Sequence, residues 1–349
     1  MERIVNITPV DKNAYQEAKA RWDSIAKPLG SFGHLEDMVC QLAAIQETSD
    51  VRLRKRAVVV MCGDHGVVEE GVTQCGSEIS AICADAIADG RSNINVIART
   101  VNADVYAVDV GLSNEAYSAS LIRKHVADGT ANITQGPAMT LEQVRQAISA
   151  GIDMVELLKE DGVDIIVSGE MGIGNTTATA AMTAALTGLF PEQVTGRGAG
   201  LSDEGLDRKF SAINRALEAN RDNIGDTFGI LRCLGGYEIA AMTGLFLGGA
   251  YYHMPIVIDG VTSLAAAAAA VGICPTTADY MFASHCSNEP SAKTLLAFVG
   301  KHAVIDGGLR LGEGTGGALL LPLLDGALAL YHESHSFEQE NIAQYQPLG

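Results

Sequence analysis

Beyond residue 55 the chain alternates unbroken apolar runs with longer stretches of helical periodicity. AVVVMC at 57–62 runs into GDHGV, and DVYAVDVG occupies 104–111. VDIIVSGE at 163–170 runs into MGIGNTT, PIVIDG covers 255–260 and ADYMFASHC covers 278–286. Continuous Val and Ile runs without polar alternation predict strands buried on both faces, as in a parallel sheet. Thr140-Leu-Glu-Gln143 is a capping-box start that predicts a helix through about Lys159, and the alanine-rich stretch at 263–271 predicts another. Strands alternating with helices define an α/β chain with a doubly wound sheet, whose ligands bind outside the carboxyl ends of the strands.

The first fifty residues have a different period. Tyr15, Ala18, Trp22 and Ile25 recur at helical spacing, as do Leu35, Met38 or Val39, Leu42 and Ile45. Between them the segment from Lys27 to Gly33 stops the first helix with Pro28, Gly30 and Gly33. This helical pair, packed with the final helices, predicts a small helical domain from residues 1–50 plus 315–349 beside a large Rossmann-like domain at 51–314.

Composition narrows the function classes. With 349 residues, 47% of them hydrophobic and 19% charged, the chain has ample core and a globular balance. Asp and Glu number 42 against 24 Lys and Arg, a formal net charge of -18, so the overall field repels nucleic acid. An anionic small molecule then requires a local convergence of Lys, Arg and backbone N–H groups. Seven scattered cysteines without a CxxC pair predict cytosolic thiols rather than a disulfide framework or a zinc ribbon. The start MERIVNITPVDKNAY lacks a signal-peptide pattern, and the longest apolar stretches are too short or interrupted to span a bilayer, so a cytoplasmic location is expected.

Several glycine-rich turns stand where the strands end. Glu170-Met171-Gly172-Ile173-Gly174-Asn175-Thr176-Thr177 has P-loop spacing with Asn175 at the lysine position, which disfavours an NTPase yet suits a single phosphate at a helix N-terminus. Thr195-Gly196-Arg197-Gly198 opens a second such loop, followed by Lys209 on a predicted helix. Asp64-His65 and His285-Cys286-Ser287 are read as polar turn chemistry at the rim of a site, with metal ligation the minority reading and no metal expected. Glu313 sits alone in LGEGTGG; an ordinary Glu titrates at about 4.3 and is a ready proton acceptor near neutral pH. Its glycines, Gly312, Gly314, Gly316 and Gly317, are expected to let backbone come close to a ligand.

Taken in order, KPLGSFGHLE, GDHGV, GEMGIGNTT, TGRGAGL, GGYEIAAMTG and LRLGEGTGGALLLPLLDGAL closely resemble the nicotinate-nucleotide:dimethylbenzimidazole phosphoribosyltransferase family of cobamide lower-ligand assembly, over nearly the whole chain. The resemblance implies transfer of 5-phosphoribose from nicotinate mononucleotide to an aromatic acceptor, without a cofactor, by a dimer with a Rossmann-like large domain. It implies Glu313 as general base and Glu170 beside the ribose. Gly172, Gly174, Asn175, Thr176, Thr177, Arg197, Lys209, Ser287, Arg310 and Gly312 are the implied phosphoribosyl contacts, and Met171, Asp64, Thr73 and Ile82 the implied acceptor border. One departure stands out: many relatives that use benzimidazoles carry a Gln near positions 80–82, where this chain reads SAICADAI. That widens the expected acceptors to other bases or to phenol and p-cresol, in a homodimer or a heterodimer with a paralogue. A non-catalytic nucleotide-binding paralogue and a dinucleotide-dependent oxidoreductase are the readings in other classes; the retained carboxylates count against the first and the missing GxGxxG against the second.

Overall fold

Alternate residues of the first buried run point to opposite sides of a sheet, and each side has its own apolar layer. Val59 and Met61 join one core cluster, whereas Val58, Val60 and Cys62 join the other. The same split separates Ile166 from Ile165 and Val167, and Ile256 and Ile258 from Val257. Burial on both faces is why these runs show no polar alternation.

The computed structural model describes residues 6–198 and 200–346. The extreme ends of the expected small helical domain, and Ala199 in the second glycine loop, lie outside the described residues. In chain order the elements are α1 (Lys12–Ser24), α2 (His34–Gln46), β1 (Arg56–Gly63), α3 (Glu78–Ala88), α4 (Asn93–Thr100), β2 (Ala103–Gly111) and β3 (Ile122–Arg123). There follow α5 (Leu141–Glu160), β4 (Ile165–Met171), α6 (Asn175–Thr187), α7 (Pro191–Val194), α8 (Asp203–Ala219), α9 (Thr227–Leu234) and α10 (Tyr237–Tyr251). The chain ends with β5 (Ile256–Ile258), α11 (Val261–Ile273), β6 (Met281–Ala283), α12 (Ala292–Phe298), α13 (Thr315–Ala318) and α14 (Leu320–Glu333).

The six strands form one sheet in the order β3-β2-β1-β4-β5-β6, with every pairing parallel. This is the doubly wound Rossmann-like order, with its switch point between β1 and β4. The capping box at Thr140 and Gln143 starts α5 as its sequence predicts. Two details differ from the sequence pattern. Residues 278–280 belong to a 3-10 turn, Pro275–Tyr280, so the last strand starts only at Met281. Strand β3 has two residues, too few to leave a hydrophobic run.

The chain termini meet on one face. Trp22 of α1 packs against Tyr331 of α14 with ring centroids 5.3 Å apart, and Ala26 N–H donates to His335 C=O at 3.0 Å. The Lys27–Gly33 break is held by Glu36, whose Oε1 accepts from Lys27 Nζ at 2.6 Å and from Phe32 N–H at 2.8 Å. Helices α1, α2 and α14 bury their apolar residues in the same cluster as Val58 and Val60, so the terminal helices and that face of the sheet share one core. Among the described residues no helix is long and apolar enough to cross a membrane.

Candidate active site

A cleft of about 250 Å³ opens beyond the carboxyl ends of β4, β5 and β6. Its walls carry Glu170 and Met171 from β4, Gly260 after β5, His285 and Ser287 after β6, and Arg310 to Glu313 from the glycine-rich segment. Asn175 and Thr176 at the start of α6, Val261 and Thr262 at the start of α11, and Gly172, Ile173, Gly198 and Glu289 complete it. Each of these helices has thirteen residues, so each presents several free N–H groups and the positive end of its dipole at the cleft. Gly174 precedes α6 at φ +97°, a left-handed conformation that glycine adopts freely, and this turns the chain sharply from strand to helix.

Arg310 adds a full positive charge. Among the described residues it has no ion-pair or hydrogen-bond partner, unlike Arg197, which donates to Leu201 C=O at 2.8 Å and Asp203 Oδ1 at 2.5 Å. Two helix N-termini and an uncommitted guanidinium thus supply the anion pocket that an acidic chain otherwise lacks. Lys209 lies fully buried behind this wall, donating to Thr176 Oγ1 at 2.9 Å and Gly196 C=O at 3.2 Å. Burial lowers its pKa to about 8, with nearby Glu289 acting in the opposite direction.

The same cleft carries two glutamates. Glu313 has φ +60°, uncommon for a residue with a side chain, and its Oε2 accepts the Ile94 N–H in the first turn of α4 at 3.1 Å. Its loop is fixed from below by Asp259 at the end of β5, which accepts Gly314 N–H at 3.1 Å and Gly317 N–H at 2.8 Å. The surrounding glycines serve close packing within the protein, and Gly312 also lines the cleft. A Cβ on Gly316 would lie 2.2 Å from the His285 ring, and one on Gly312 would lie 2.7 Å from Glu170 Oε1. On the strand side, a Cβ on Gly169 would lie 2.7 Å from Glu313 C=O.

Glu170 faces Glu313 across this loop and accepts a hydrogen bond from Asn175 Nδ2. Its carboxyl is pushed up to about 8, first by burial and then by the charges of Asp259 and Glu238, against the Asn175 hydrogen bond and with a smaller push from Glu313. These surroundings favour the protonated form of Glu170 near neutral pH.

Other residues singled out in the sequence fall elsewhere. Met171, Gly172, Asn175, Thr176, Ser287, Arg310 and Gly312 line the cleft together with both glutamates. Gly174, Thr177, Arg197 and Lys209 do not line it, although Lys209 touches it through Thr176. Asp64, Thr73 and Ile82 also stand outside its wall. Asp64 is buried with Oδ2 bound to Ser113, Thr73 donates to Cys75 C=O, and Ile82 on α3 is 61% exposed. Asp64 and His65 diverge, the imidazole turning to Glu238 at 2.6 Å. Sequence reasoning missed Asp259, Glu238, Thr262 and the Ile94 N–H. Asp259 left a signal as a carboxylate closing the buried run PIVID, and Glu238 as the acid of GGYEIAAMTG.

Fold and sequence pattern together define a phosphoribosyltransferase: residues 7–342 match the family described as Phosphoribosyltransferase. A nicotinate-nucleotide–dimethylbenzimidazole phosphoribosyltransferase of Ruminiclostridium cellulolyticum is 39% identical over 347 residues, 99% of each chain. The enzyme of that name from Desulforudis audaxviator is 42% identical over 342 residues, covering 98% of this chain and 97% of its own. The crystal structure of CobT from Thermus thermophilus superposes with a TM-score of 0.90 at 38% identity, covering 95% of this chain and all of that one. The chain belongs to the nicotinate-nucleotide–dimethylbenzimidazole phosphoribosyltransferase family, as its six motifs indicate, and is a pentosyltransferase.

Proposed function

We propose that this enzyme transfers 5-phosphoribose from nicotinate mononucleotide to an aromatic lower-ligand base, dimethylbenzimidazole or a similar ring, giving an α-ribotide and nicotinate for cobamide synthesis. The observation that carries the proposal is that one cleft holds both anion-binding groups and carboxylates. Arg310 and the starts of α6 and α11 suit a phosphate, while Glu170 and Glu313 supply the acid–base groups.

In this reading the leaving group is a pyridinium, so departure of nicotinate needs no added electrophile. The acceptor is the weak reactant. Glu313, held by the Ile94 N–H, takes the ring proton as the acceptor nitrogen attacks C1′. Attack opposite the departing ring inverts the β-nucleotide to the α product. As the pyridinium ring binds, Glu170 passes its proton to water at the cleft, and the resulting carboxylate stabilises oxocarbenium-like charge as the glycosidic bond breaks.

A second reading keeps the reaction and changes the acceptor. Ser80 of α3 is buried and its hydroxyl accepts the Ile173 N–H at 3.0 Å, so it is already committed within the protein. Cys83 lies near enough to Glu313 for that charge, after burial, to raise its pKa. An acceptor side furnished this way favours a hydroxyl whose proton Glu313 removes, as in phenol or p-cresol. A dimer fits exposed Ile82, Val96 and Leu311, as a homodimer or with a paralogue, in the cytoplasm. The deciding experiment is nicotinate release from nicotinate mononucleotide across a panel of benzimidazoles, purines and phenols. Turnover with azoles alone ends the phenolic reading, and no release with any acceptor overturns the proposed reaction.

A further inference from the structure

His285 lines the cleft but has no part in the mechanism above. It follows β6, is 3% exposed, and has its ring fixed by close neighbours. The start of α13 lies so near that a Cβ on Gly316 would collide with Cε1 and Nδ1. A Cβ on Gly260, just before α11, would lie 3.9 Å from Nε2, and Gly260 is itself part of the cleft wall. Among the described residues Nε2 has no hydrogen-bond partner, and it is not one of the unpaired side-chain atoms sealed away from solvent. Nε2 is therefore the ring atom that reaches the cleft.

Ser284 determines which nitrogen carries the ring hydrogen. Its Oγ lies 2.7 Å from Ile258 C=O and 3.0 Å from His285 Nδ1. A carbonyl oxygen has no hydrogen to give, so the Ser284 hydroxyl donates to Ile258 and its single hydrogen is spent there. Towards His285 the same oxygen accepts, and Nδ1 carries the hydrogen. In the neutral imidazole this leaves Nε2 with a bare lone pair at the cleft. Ile258 closes β5 and Ser284 follows β6, so the sheet itself sets the tautomer.

A lone pair in the cleft needs a donor, and nicotinate mononucleotide has few. Its ionised phosphate and carboxylate oxygens are acceptors, and the pyridinium nitrogen, bonded to C1′, carries no hydrogen. The donors that remain are the 2′- and 3′-hydroxyls of the ribose. Resting on the phosphoribosyl transfer proposed above, we propose that His285 Nε2 accepts a hydrogen bond from one of these hydroxyls and makes the enzyme selective for ribosyl over deoxyribosyl nucleotides. A deoxy substrate would leave the buried Nε2 unpaired, which is the origin of the selectivity. The contact also gives the sugar a second point of attachment, apart from the phosphate held by Arg310 and the helix starts, and so orients C1′ for attack.

The test measures kcat/KM for nicotinate mononucleotide and for its 2′-deoxy and 3′-deoxy analogues in the wild type and in H285F, which keeps a ring and lacks the acceptor. The three substrates differ in the intrinsic lability of the glycosidic bond, so the ratio of ribosyl to deoxyribosyl kcat/KM is compared between enzymes. For one of the two analogues that ratio is expected to fall about three- to tenfold from wild type to H285F, the worth of one hydrogen bond between neutral groups. The analogue that responds identifies the hydroxyl. An equal loss on all three substrates overturns the proposal, whether it is small, as for a packing defect, or about a hundredfold or more, as for loss of a general base. Should H285F fail to fold, H285N replaces it, its amide too short to reach the place of Nε2; unmoved ratios again overturn the proposal. Wild-type protein without turnover would sink the transferase reading, whereas turnover with ratios unchanged by the variant sinks this inference alone.

Discussion

The two cleft glutamates are both half-buried and differ in what holds them. Glu313 lies partly exposed at the cleft, fixed by a backbone N–H, whereas Glu170 lies among other acids and holds its proton to about pH 8. Two carboxylates whose surroundings push them apart can take separate acid–base roles. Glu313→Gln keeps the shape and the Ile94 contact but loses the proposed base. We expect nicotinate mononucleotide binding within a few-fold of wild type and turnover reduced about 10²–10⁴-fold, read by calorimetry beside nicotinate release. Unchanged turnover would remove Glu313 from the role of base.

At the scale of elements, the site depends on how a strand end grips a loop. Asp259 closes β5 and accepts two N–H groups at the start of α13, which sets the Glu313 turn against β4. Removing a charged acceptor and leaving buried donors unpaired costs roughly 1.5–3 kcal/mol. Asp259→Ala is therefore expected to lower the melting temperature by several degrees and to reduce kcat more than it changes KM, because Glu313 loses its support. A variant with normal kcat would show that the loop holds its shape without Asp259. The close approach of His285 to Gly316 explains why this run is glycine-rich: side chains there would push the loop off the strand ends.

For the molecule as a whole, ionisable groups whose pKa the fold shifts set how stability changes with pH. The folded pKa of Glu170 is raised above its unfolded value, so its contribution is fully present below about pH 4.5 and is lost as pH rises through about 8. Glu170→Gln removes that loss. At pH 8 the variant should melt a few degrees above wild type, with the difference vanishing near pH 4.5, while its turnover falls; equal melting curves at both pH values would refute the burial cost assigned here. Glu70 has the opposite sign. Hydrogen bonds from Arg215, Asn132 and Thr134 hold its carboxyl down to about 2, so its contribution is present above the usual carboxylate range and disappears in strong acid. The sequence by itself determined the parallel sheet, because strands buried on both faces must be continuously apolar, and it located the glycine-rich turns at the strand ends. Its motifs also named Glu313 and Glu170, and the terminal helices were legible in the spacing of Trp22, Leu42 and Ile45. Only the tertiary structure decided that Asp259 stands behind Glu313 and Glu238 against His65, that Arg310 is uncommitted while Arg197 is paired, and that the glycines of LGEGTGG meet protein. Asp259 reaches its loop across 55 and 58 positions of chain, and Glu238 meets His65 across 173; local periodicity reports which way a side chain faces, and it contains nothing about what the chain later brings opposite.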